Sequence, residues 1–214
     1  MGTNTRPDGR LERGRRTRKT VLDAALARAS TDGLDGLSLA ALAGELGISK
    51  SGLFVHWSTK EELQLAVIDH AVTQWSELVI KPALSKPSGV ERVFALHVSR
   101  LKFYSDAVLP GRCFFFTAQC EFDDRTGPIH DRVVAAEAQW LGFIASLITD
   151  AIDRGQLRDE VSAEQLAFEI EAIGDAVVTQ VRLMDRAAVF TFARRAVLDR
   201  LRSLCTDQKL LPVR

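Results

Sequence analysis

Apolar residues recur at spacings of three and four along most of this 214-residue chain, and short stretches rich in Gly, Pro, Asp and Ser interrupt them. This spacing is typical of amphipathic α-helices, so the sequence predicts an all-α fold. The predicted helices span about 15–32, two short helices within 38–57, then 59–80, 88–107, 112–122, 128–154, 162–184 and 186–205.

The stretch from Ser38 to Trp57 predicts two short helices joined by a tight turn. Ser38 and Ser49 are good N-caps, because each hydroxyl can accept a free backbone N–H at the start of a helix. Gly47 can adopt the left-handed conformation that ends the first helix. Such a pair is a helix-turn-helix, whose second helix enters the major groove of DNA.

A capping box, Thr59 followed by Glu62, opens the next helix. The apolar pattern continues from there to about Ile80, and Pro82 then interrupts it. Because proline has no backbone N–H, we expect this long amphipathic helix to end before Pro82.

Charge is distributed unevenly, although the formal net charge is zero. Residues 1–60 carry ten Lys or Arg and six Asp or Glu, a net charge of +4. Residues 1–14 mix such charges with Gly, Pro, Asn and Thr, and we expect them to form a disordered basic arm. A basic amino end favours contact with a polyanion such as DNA, and a merely solvated tail is the plainer alternative.

Signals for catalysis are missing from the sequence. It contains no GxSxG, P-loop, strand-linked GxGxxG or HExxH motif, so we predict no catalytic site, no metal site and no cofactor. Three cysteines without CxxC spacing indicate a reducing compartment. Cys113 and Cys120 are two helical turns apart and could share a face, as inert buried thiols or, alternatively, as a thiol sensor.

Signals for export or membrane insertion are also missing. Residues 1–30 contain no apolar segment of the kind found in signal peptides. No apolar run reaches membrane-spanning length. We therefore expect a cytoplasmic protein that has no membrane partner.

Residues 15–80 resemble the DNA-binding domain of TetR-family transcriptional regulators. The resemblance rests on an initial helix ending at Gly33 and on the segments Ser38-Leu39-Ala40-Ala41-Leu42-Ala43, Leu46-Gly47-Ile48-Ser49, Ser51-Gly52-Leu53-Phe54-Val55-His56-Trp57 and Thr59-Lys60-Glu61-Glu62-Leu63. The family usually has Tyr where Phe54 stands and Phe where Trp57 stands. Phe54 lacks the phenol oxygen that commonly contacts a phosphate. Beyond the first third of the chain, only the all-helical pattern agrees.

The helix-turn-helix predicts which side chains face DNA, although a three-helix bundle with incidental polar residues is the plainer alternative. Lys50 could donate to guanine or to a phosphate, Ser51 could bond to either, and Gly52 leaves room for close approach. Ser38 and Lys60 begin helices, where free N–H groups and the helix dipole favour a phosphate. The predicted DNA-binding residues are Ser38, Ser49, Lys50, Ser51, Gly52, Phe54, His56 and Lys60.

Aromatic residues cluster between positions 94 and 143, and polar side chains interleave on the predicted helices of the second domain. A cavity with apolar walls and few polar anchors would suit a small, largely apolar or aromatic ligand. Core packing is the plainer interpretation of each residue, and the resemblance to a family of sensors is what implies a cavity. The predicted ligand-binding residues are His97, Phe115, Phe116, Gln119, Trp140, Phe143 and Asp175.

The last two predicted helices, about 162–205, are apolar over more than a narrow stripe. In TetR-like proteins these helices form a four-helix dimer interface, so the resemblance implies a homodimer; plain core packing is the alternative. We predict a helix-turn-helix DNA-binding domain over 15–62, a helical ligand-binding and dimerisation domain over 63–206, and a C-terminal tail over 207–214.

Together these features predict an N-terminal three-helix DNA-binding domain attached to a larger helical domain. The resemblance implies a repressor that binds double-stranded operator DNA and is released by a small-molecule effector. One alternative is an activator or a co-repressed regulator. Another is a ligand-binding or scaffold protein whose helix-turn-helix no longer contacts DNA, in which case binding would show no steep salt dependence.

Overall fold

The computed structural model describes residues 9–111 and 113–213, which are mainly helical and contain no β-strand. The prediction of an all-α fold is confirmed. The helices are α1 (Gly9–Asp32), α2 (Leu39–Leu46), α3 (Lys50–Phe54), α4 (Lys60–Trp75), α5 (Lys81–Leu84), α6 (Val90–Ser105), α7 (Phe114–Phe122), α8 (Pro128–Asp153), α9 (Ala163–Gln180) and α10 (Arg186–Leu204).

The first helix begins at Gly9, well before the predicted start at Arg15. The predicted disordered arm is therefore wrong for residues 9–14, and residues 1–8 lie outside the described part of the chain. Arg, Glu and Leu, which favour helices, extend α1 in this direction. The Arg13 side chain also donates from Nε to the carbonyl oxygen of Gly9 at 2.9 Å, which adds a contact within the first turn.

A small core holds the first helices together. Leu26 of α1, Leu42 of α2 and Leu53 of α3 are all fully buried, and Trp57 retains only 2% of its exposure. Burying one such side chain contributes about 1.5–3 kcal/mol to stability. The core leaves the polar positions of α2 and α3 free to face solvent.

The helix that begins at Lys60 does not end near Ile80 as predicted. It continues from α4 through a π-helical segment, Ser76–Ile80, into α5. Pro82 cannot donate the usual bond to the carbonyl of Leu78, and the wider π turn rearranges the hydrogen bonds just before it. The chain therefore keeps its direction past the proline.

The second domain packs α8 against α9, and α10 against both α9 and α6. By length and composition alone α8 could cross a membrane, a test that core helices of soluble proteins also pass. The described end of the chain folds back, because Leu211 is only 3% exposed. The predicted tail, 207–214, is therefore partly packed over its described residues.

Candidate functional site

Local hydrogen bonds build the helix-turn-helix as the sequence predicts. Ser38 Oγ accepts the N–H of Ala41 at 3.4 Å, and Ser49 Oγ accepts the N–H of Gly52 at 3.1 Å. Gly47 ends α2 with a φ of 64°, in the left-handed region. A Cβ on Gly52 would lie 3.1 Å from Ser49 Oγ, so the glycine leaves room for the cap.

The amino end of α3 presents an exposed surface. Lys50 and Ser51 are exposed, and Ser51 Oγ lies 3.3 Å from the Oγ of Ser49. Phe54 is 48% exposed and its neighbour Val55 is 82% exposed. Apolar side chains beside basic and hydroxyl groups match a DNA groove, where thymine methyls lie beside acceptors. Val55 is not among the predicted residues, although its position next to Phe54 was a signal.

Two further predicted DNA-binding residues, Lys60 and His56, also have neighbours within the chain. Lys60 Nζ donates to the carbonyl oxygen of Asp35 at 2.6 Å, and Arg125 pairs with the carboxylate of the same residue. The bond from Arg125 holds the pKa of Asp35 below its ordinary value. His56 is half-buried beside the ring of Trp57, with 5.5 Å between the ring centroids. Lys60 would have to leave the carbonyl of Asp35 before its ammonium group could contact a phosphate.

A second candidate site is a cavity of about 240 Å³ between α4, α6, α7, α8 and α9. Its volume far exceeds what one water molecule needs and lies just below the range of about 300 Å³ upward that is usual for ligand pockets. Six of the seven predicted ligand-binding residues line it: Phe115, Phe116, Gln119, Trp140, Phe143 and Asp175.

Aromatic rings form much of the cavity wall, and Trp75 at the end of α4 is central to them. Its ring makes edge-on contacts with Trp140 at 5.3 Å and with Phe115 at 6.0 Å between centroids. Trp140 in turn stacks on Phe143 at 6.3 Å. The sequence pattern did not mark Trp75 as a cavity residue, because helical spacing alone cannot distinguish a core ring from one at a cavity wall.

A buried ionic cluster forms the polar end of the cavity. Arg100 donates to both carboxylate oxygens of Glu171 at 2.7 and 2.8 Å, and to Asp175 Oδ1 at 3.0 Å. Its Nε donates to the hydroxyl of Tyr104 at 2.8 Å, and Trp140 Nε1 donates to Glu171 at 2.5 Å. The guanidinium is thus saturated, as a charge only 3% exposed must be.

Two carboxylates in the cavity, Glu137 and Asp175, have raised pKa values. Glu137 accepts a bond from the amide of Gln119 at 2.5 Å. Burial, reinforced by repulsion from Glu171 and Asp175, raises the pKa of Glu137 to about 7. Burial raises the pKa of Asp175 to about 6, although Arg100 opposes the shift. Only Asp175 is among the predicted residues, and Glu137 was missed, although a carboxylate one turn before Trp140 was a signal.

His97 does not line the cavity, so its prediction as a ligand-binding residue is corrected. Its Nε2 lies 3.1 Å from the carbonyl oxygen of Ala193, because α6 packs against α10 at this turn. Burial, together with the charge of Arg100, lowers the pKa of His97 to about 3. The ring is therefore neutral and Nε2 donates, as in a structural core histidine.

Cys113 and Cys120 do not share a face. Cys113 is buried at the start of α7, where its sulfur accepts the N–H of Phe116 at 3.5 Å, and Cys120 is exposed. Burial raises the pKa of Cys113, which disfavours the reactive thiolate. Within residues 9–111 and 113–213, no group of three His, Cys, Asp or Glu side chains is placed to hold a metal ion.

Helix α7 connects the two candidate sites. The Glu121 carboxylate accepts the N–H of Leu34 at 2.6 Å and that of Asp35 at 2.7 Å, in the loop before α2. Gly33 allows this approach, because a Cβ there would lie 2.6 Å from Glu121 Oε2. Gln119, on the same helix, lines the cavity. A shift of α7 would therefore change the geometry of both sites.

An apolar surface lies on the last two helices. Phe168 of α9 is 62% exposed and Phe192 of α10 is 58% exposed. In the segment between these helices, Leu183 is 80% exposed and Met184 is 49% exposed. Clusters of large exposed apolar side chains commonly mark interaction surfaces.

Comparisons with known proteins agree along most of the chain. A family model described as "Bacterial regulatory proteins, tetR family" matches residues 21–67, and one described as "Tetracyclin repressor-like, C-terminal domain" matches residues 89–197. The HTH-type transcriptional regulator TtgR of Pseudomonas putida is 24% identical over 177 residues, which are 81% of this chain and 83% of TtgR.

Two further similarities extend this result. The HTH-type transcriptional regulator SrpR, also of Pseudomonas putida, is 29% identical over 147 residues, 66% of this chain and 63% of SrpR. The crystal structure of a TetR transcriptional regulator from Chloroflexus aurantiacus superposes with a TM-score of 0.82 at 25% identity, and the match covers 91% of this chain and 98% of that one.

Proposed function

This chain belongs to the TetR family of transcriptional regulators, which are not enzymes, and we propose that it is a cytoplasmic repressor. It binds operator DNA as a homodimer and is released when a small, largely apolar or aromatic molecule occupies the cavity. One observation carries the proposal: α7 contacts the loop before the helix-turn-helix and also lines the cavity.

The proposed DNA interface is the exposed end of α3 and its surroundings. Lys50 and Ser51 read base edges there, and Phe54 packs on a thymine methyl or a sugar. The other predicted residues position the protein on phosphates. These are Ser38, Ser49, Gly52, His56 and Lys60.

The proposed dimer forms through the apolar surface of α9 and α10, within about 162–205. Its support is the exposure of Phe168 and Phe192 on two helices that pack against each other. A two-fold dimer also reads two half-sites, which one short recognition helix cannot do.

Release follows if the ligand binds the DNA-incompetent arrangement more tightly than the competent one. Two elements can transmit such a preference. Trp75 and Ser76 place the end of α4 at the cavity, and Lys60 begins the same helix beside the helix-turn-helix. Glu121 of α7 holds the loop before α2 through two backbone bonds.

The first test is a DNA-binding titration at two salt concentrations, on operator sequences selected from random DNA. We expect a steep fall in affinity with salt. Lys50→Ala should cost about 1–3 kcal/mol and relax base preference, whereas Lys60→Ala should weaken binding equally on all sequences. Lys102→Ala, on α6, removes the same charge outside the helix-turn-helix and is the control.

The outcomes separate the proposed function from its alternatives. Equal losses on every sequence for both variants would contradict the base-reading role of Lys50. Binding without salt dependence would indicate a scaffold with an inactive motif, and a ligand that strengthens DNA binding would indicate a co-repressed regulator or an activator.

The dimer has its own test, sedimentation of the full chain. Replacing both Phe168 and Phe192 by Glu should yield monomers and abolish tight operator binding, because charges would be buried unpaired in the interface. Val134→Glu, on an α8 position that is 51% exposed, is the matched control and should leave the dimer intact. A dimeric double variant would contradict the interface.

A further inference from the structure

The cavity contains more negative than positive charge. Among the described residues that line it, the carboxylates are Glu137, Glu171 and Asp175, and the only basic side chain is Arg100. Arg100 already makes a two-point ion pair with Glu171 and a third bond to Asp175. The cluster therefore has no positive charge left to neutralise a further carboxylate.

Glu137 is that further carboxylate. In the described part of the chain it accepts one hydrogen bond, from the neutral amide of Gln119, and no basic side chain pairs with it. The cavity wall from α4 and the π-helical turn after it includes Val72, Trp75 and Ser76, which carry no charge. A partly buried, ionised carboxylate in such surroundings is costly unless it takes up a proton or a cation is supplied.

The rings around the cavity also favour a cation. Trp75, Phe115 and Trp140 line the same volume as Glu137, and the faces of aromatic rings attract positive charge, most strongly when water is excluded. An apolar cation would thus find both an aromatic wall and a counter-charge, whereas an anion would meet uncompensated carboxylates.

We infer that the effector, within the proposed repressor function, is an organic cation whose positively charged nitrogen pairs with Glu137 while its apolar part lies among the rings of Trp75 and Trp140. Gln119 positions the carboxylate of Glu137 through the hydrogen bond that its side-chain amide donates. The inference adds a charge to the largely apolar or aromatic ligand of the proposed function and assigns Glu137 as the residue that selects it.

The raised pKa of Glu137 supports this assignment and predicts a second observable, the pH dependence of binding. Glu137 faces Glu171 and Asp175 from α9, Arg100 from α6 and the Gln119 amide from α7. Burial and the two neighbouring carboxylates raise the pKa of Glu137 to about 7. A bound cation favours the ionised form, so binding should strengthen as pH rises through that pKa and should release a proton.

The test uses three ring compounds of similar shape and different charge: benzyltrimethylammonium, its neutral isostere neopentylbenzene, and phenylacetate. Their binding to the full-length protein is followed by tryptophan fluorescence, because Trp75 and Trp140 line the cavity. The cation should bind about tenfold or more tightly than the neutral isostere, and phenylacetate should bind most weakly.

Glu137→Gln should reduce the preference for the cation over the neutral isostere to about twofold or less, and should remove the part of the rise in affinity that lies near the pKa of Glu137. Glu164→Gln, an equal change of charge at an exposed position of α9, is the matched control and should keep both. Because Gln keeps the size of the side chain, the variant should stay folded, and its circular dichroism spectrum should match that of the unsubstituted protein.

Three results would overturn the inference: equal or tighter binding of the neutral isostere, an unchanged preference in Glu137→Gln, or no binding of the cation at millimolar concentration. None of these measurements involves DNA, so they are independent of the proposed function. The proposed function would be contradicted by different results: no binding to DNA, or no cavity ligand that alters DNA binding.

Discussion

The helix-turn-helix and the cavity are assembled in opposite ways. All the predicted DNA-binding residues lie between Ser38 and Lys60, and side chains within three residues of each helix start fix the two short helices. The cavity draws its wall from five helices, and its central ion pair joins Arg100 to Glu171, which lie 71 positions apart in the sequence.

This difference explains why the sequence shows how the helix-turn-helix is assembled but does not show which charged groups meet in the cavity. Caps and turn glycines act over three or four residues, so their chemistry appears directly in the sequence. An ion pair between distant helices exists only after those helices pack, and its energy depends on burial that packing creates. Three changes, ordered from the largest expected effect to the smallest, test this contrast.

Removing the cation of the buried cluster should have the largest effect. Arg100→Met leaves Glu171 buried without its partner and should lower the free energy of unfolding by about 3–5 kcal/mol. Urea titration measures this loss. Arg195→Met removes an exposed partner of Asp199, so it should cost at most about 1 kcal/mol. Similar losses in both variants would mean that the cluster contributes no more than a surface pair.

Removing a local cap should have a smaller effect that stays within its own unit. Ser49→Ala deletes the acceptor for the Gly52 N–H and should lower the free energy of unfolding by about 1 kcal/mol. It should also weaken DNA binding, measured by titration, because the amino end of α3 loses its order. Ser162→Ala removes the equivalent cap of α9 and should leave DNA affinity unchanged. A loss of affinity as large as that of Ser49→Ala would contradict the expectation that each cap acts only within its own unit.

The smallest effect concerns pH and the two perturbed carboxylates. Glu137 and Asp175 have pKa values raised to about 7 and about 6 in the folded protein, above those of the unfolded chain. The folded state therefore binds their protons more tightly, and the stability gained at low pH is lost as pH rises through these values. Urea titrations at about pH 5 and about pH 8 should show a smaller decrease for Glu137→Gln than for the unsubstituted protein. An equal decrease would mean that Glu137 does not titrate in this range.

The sequence predicted much of both regions, and its errors share a cause. The helix-turn-helix is formed with the predicted caps, and six of the predicted ligand-binding residues lie together at the cavity. His97 was placed at the cavity and Glu137 was missed because helical spacing gives the face of a residue but not which neighbouring helix covers it. The helix through Pro82 was predicted to stop because a π turn has no sequence signature.

The exposed apolar residues of α9 and α10 also show what helical spacing leaves undetermined. Their spacing indicates helices with broad apolar faces, but only the packed chain separates buried from exposed positions. Gly174, for example, lies within the core of the chain, where a Cβ would be 1.9 Å from Arg100 Nη1. Phe168, on the same helix, remains 62% exposed and available to a second copy.

The sequence by itself determined the all-α class, the recognition motif and the position of its caps, since these depend on spacing and on interactions over a few residues. Only the tertiary structure decided which carboxylates share a cavity, which guanidinium neutralises them and which helix connects that cavity to the recognition motif. These features depend on which distant groups packing brings together and on how far it removes them from water, and neither is encoded in any short stretch of the chain.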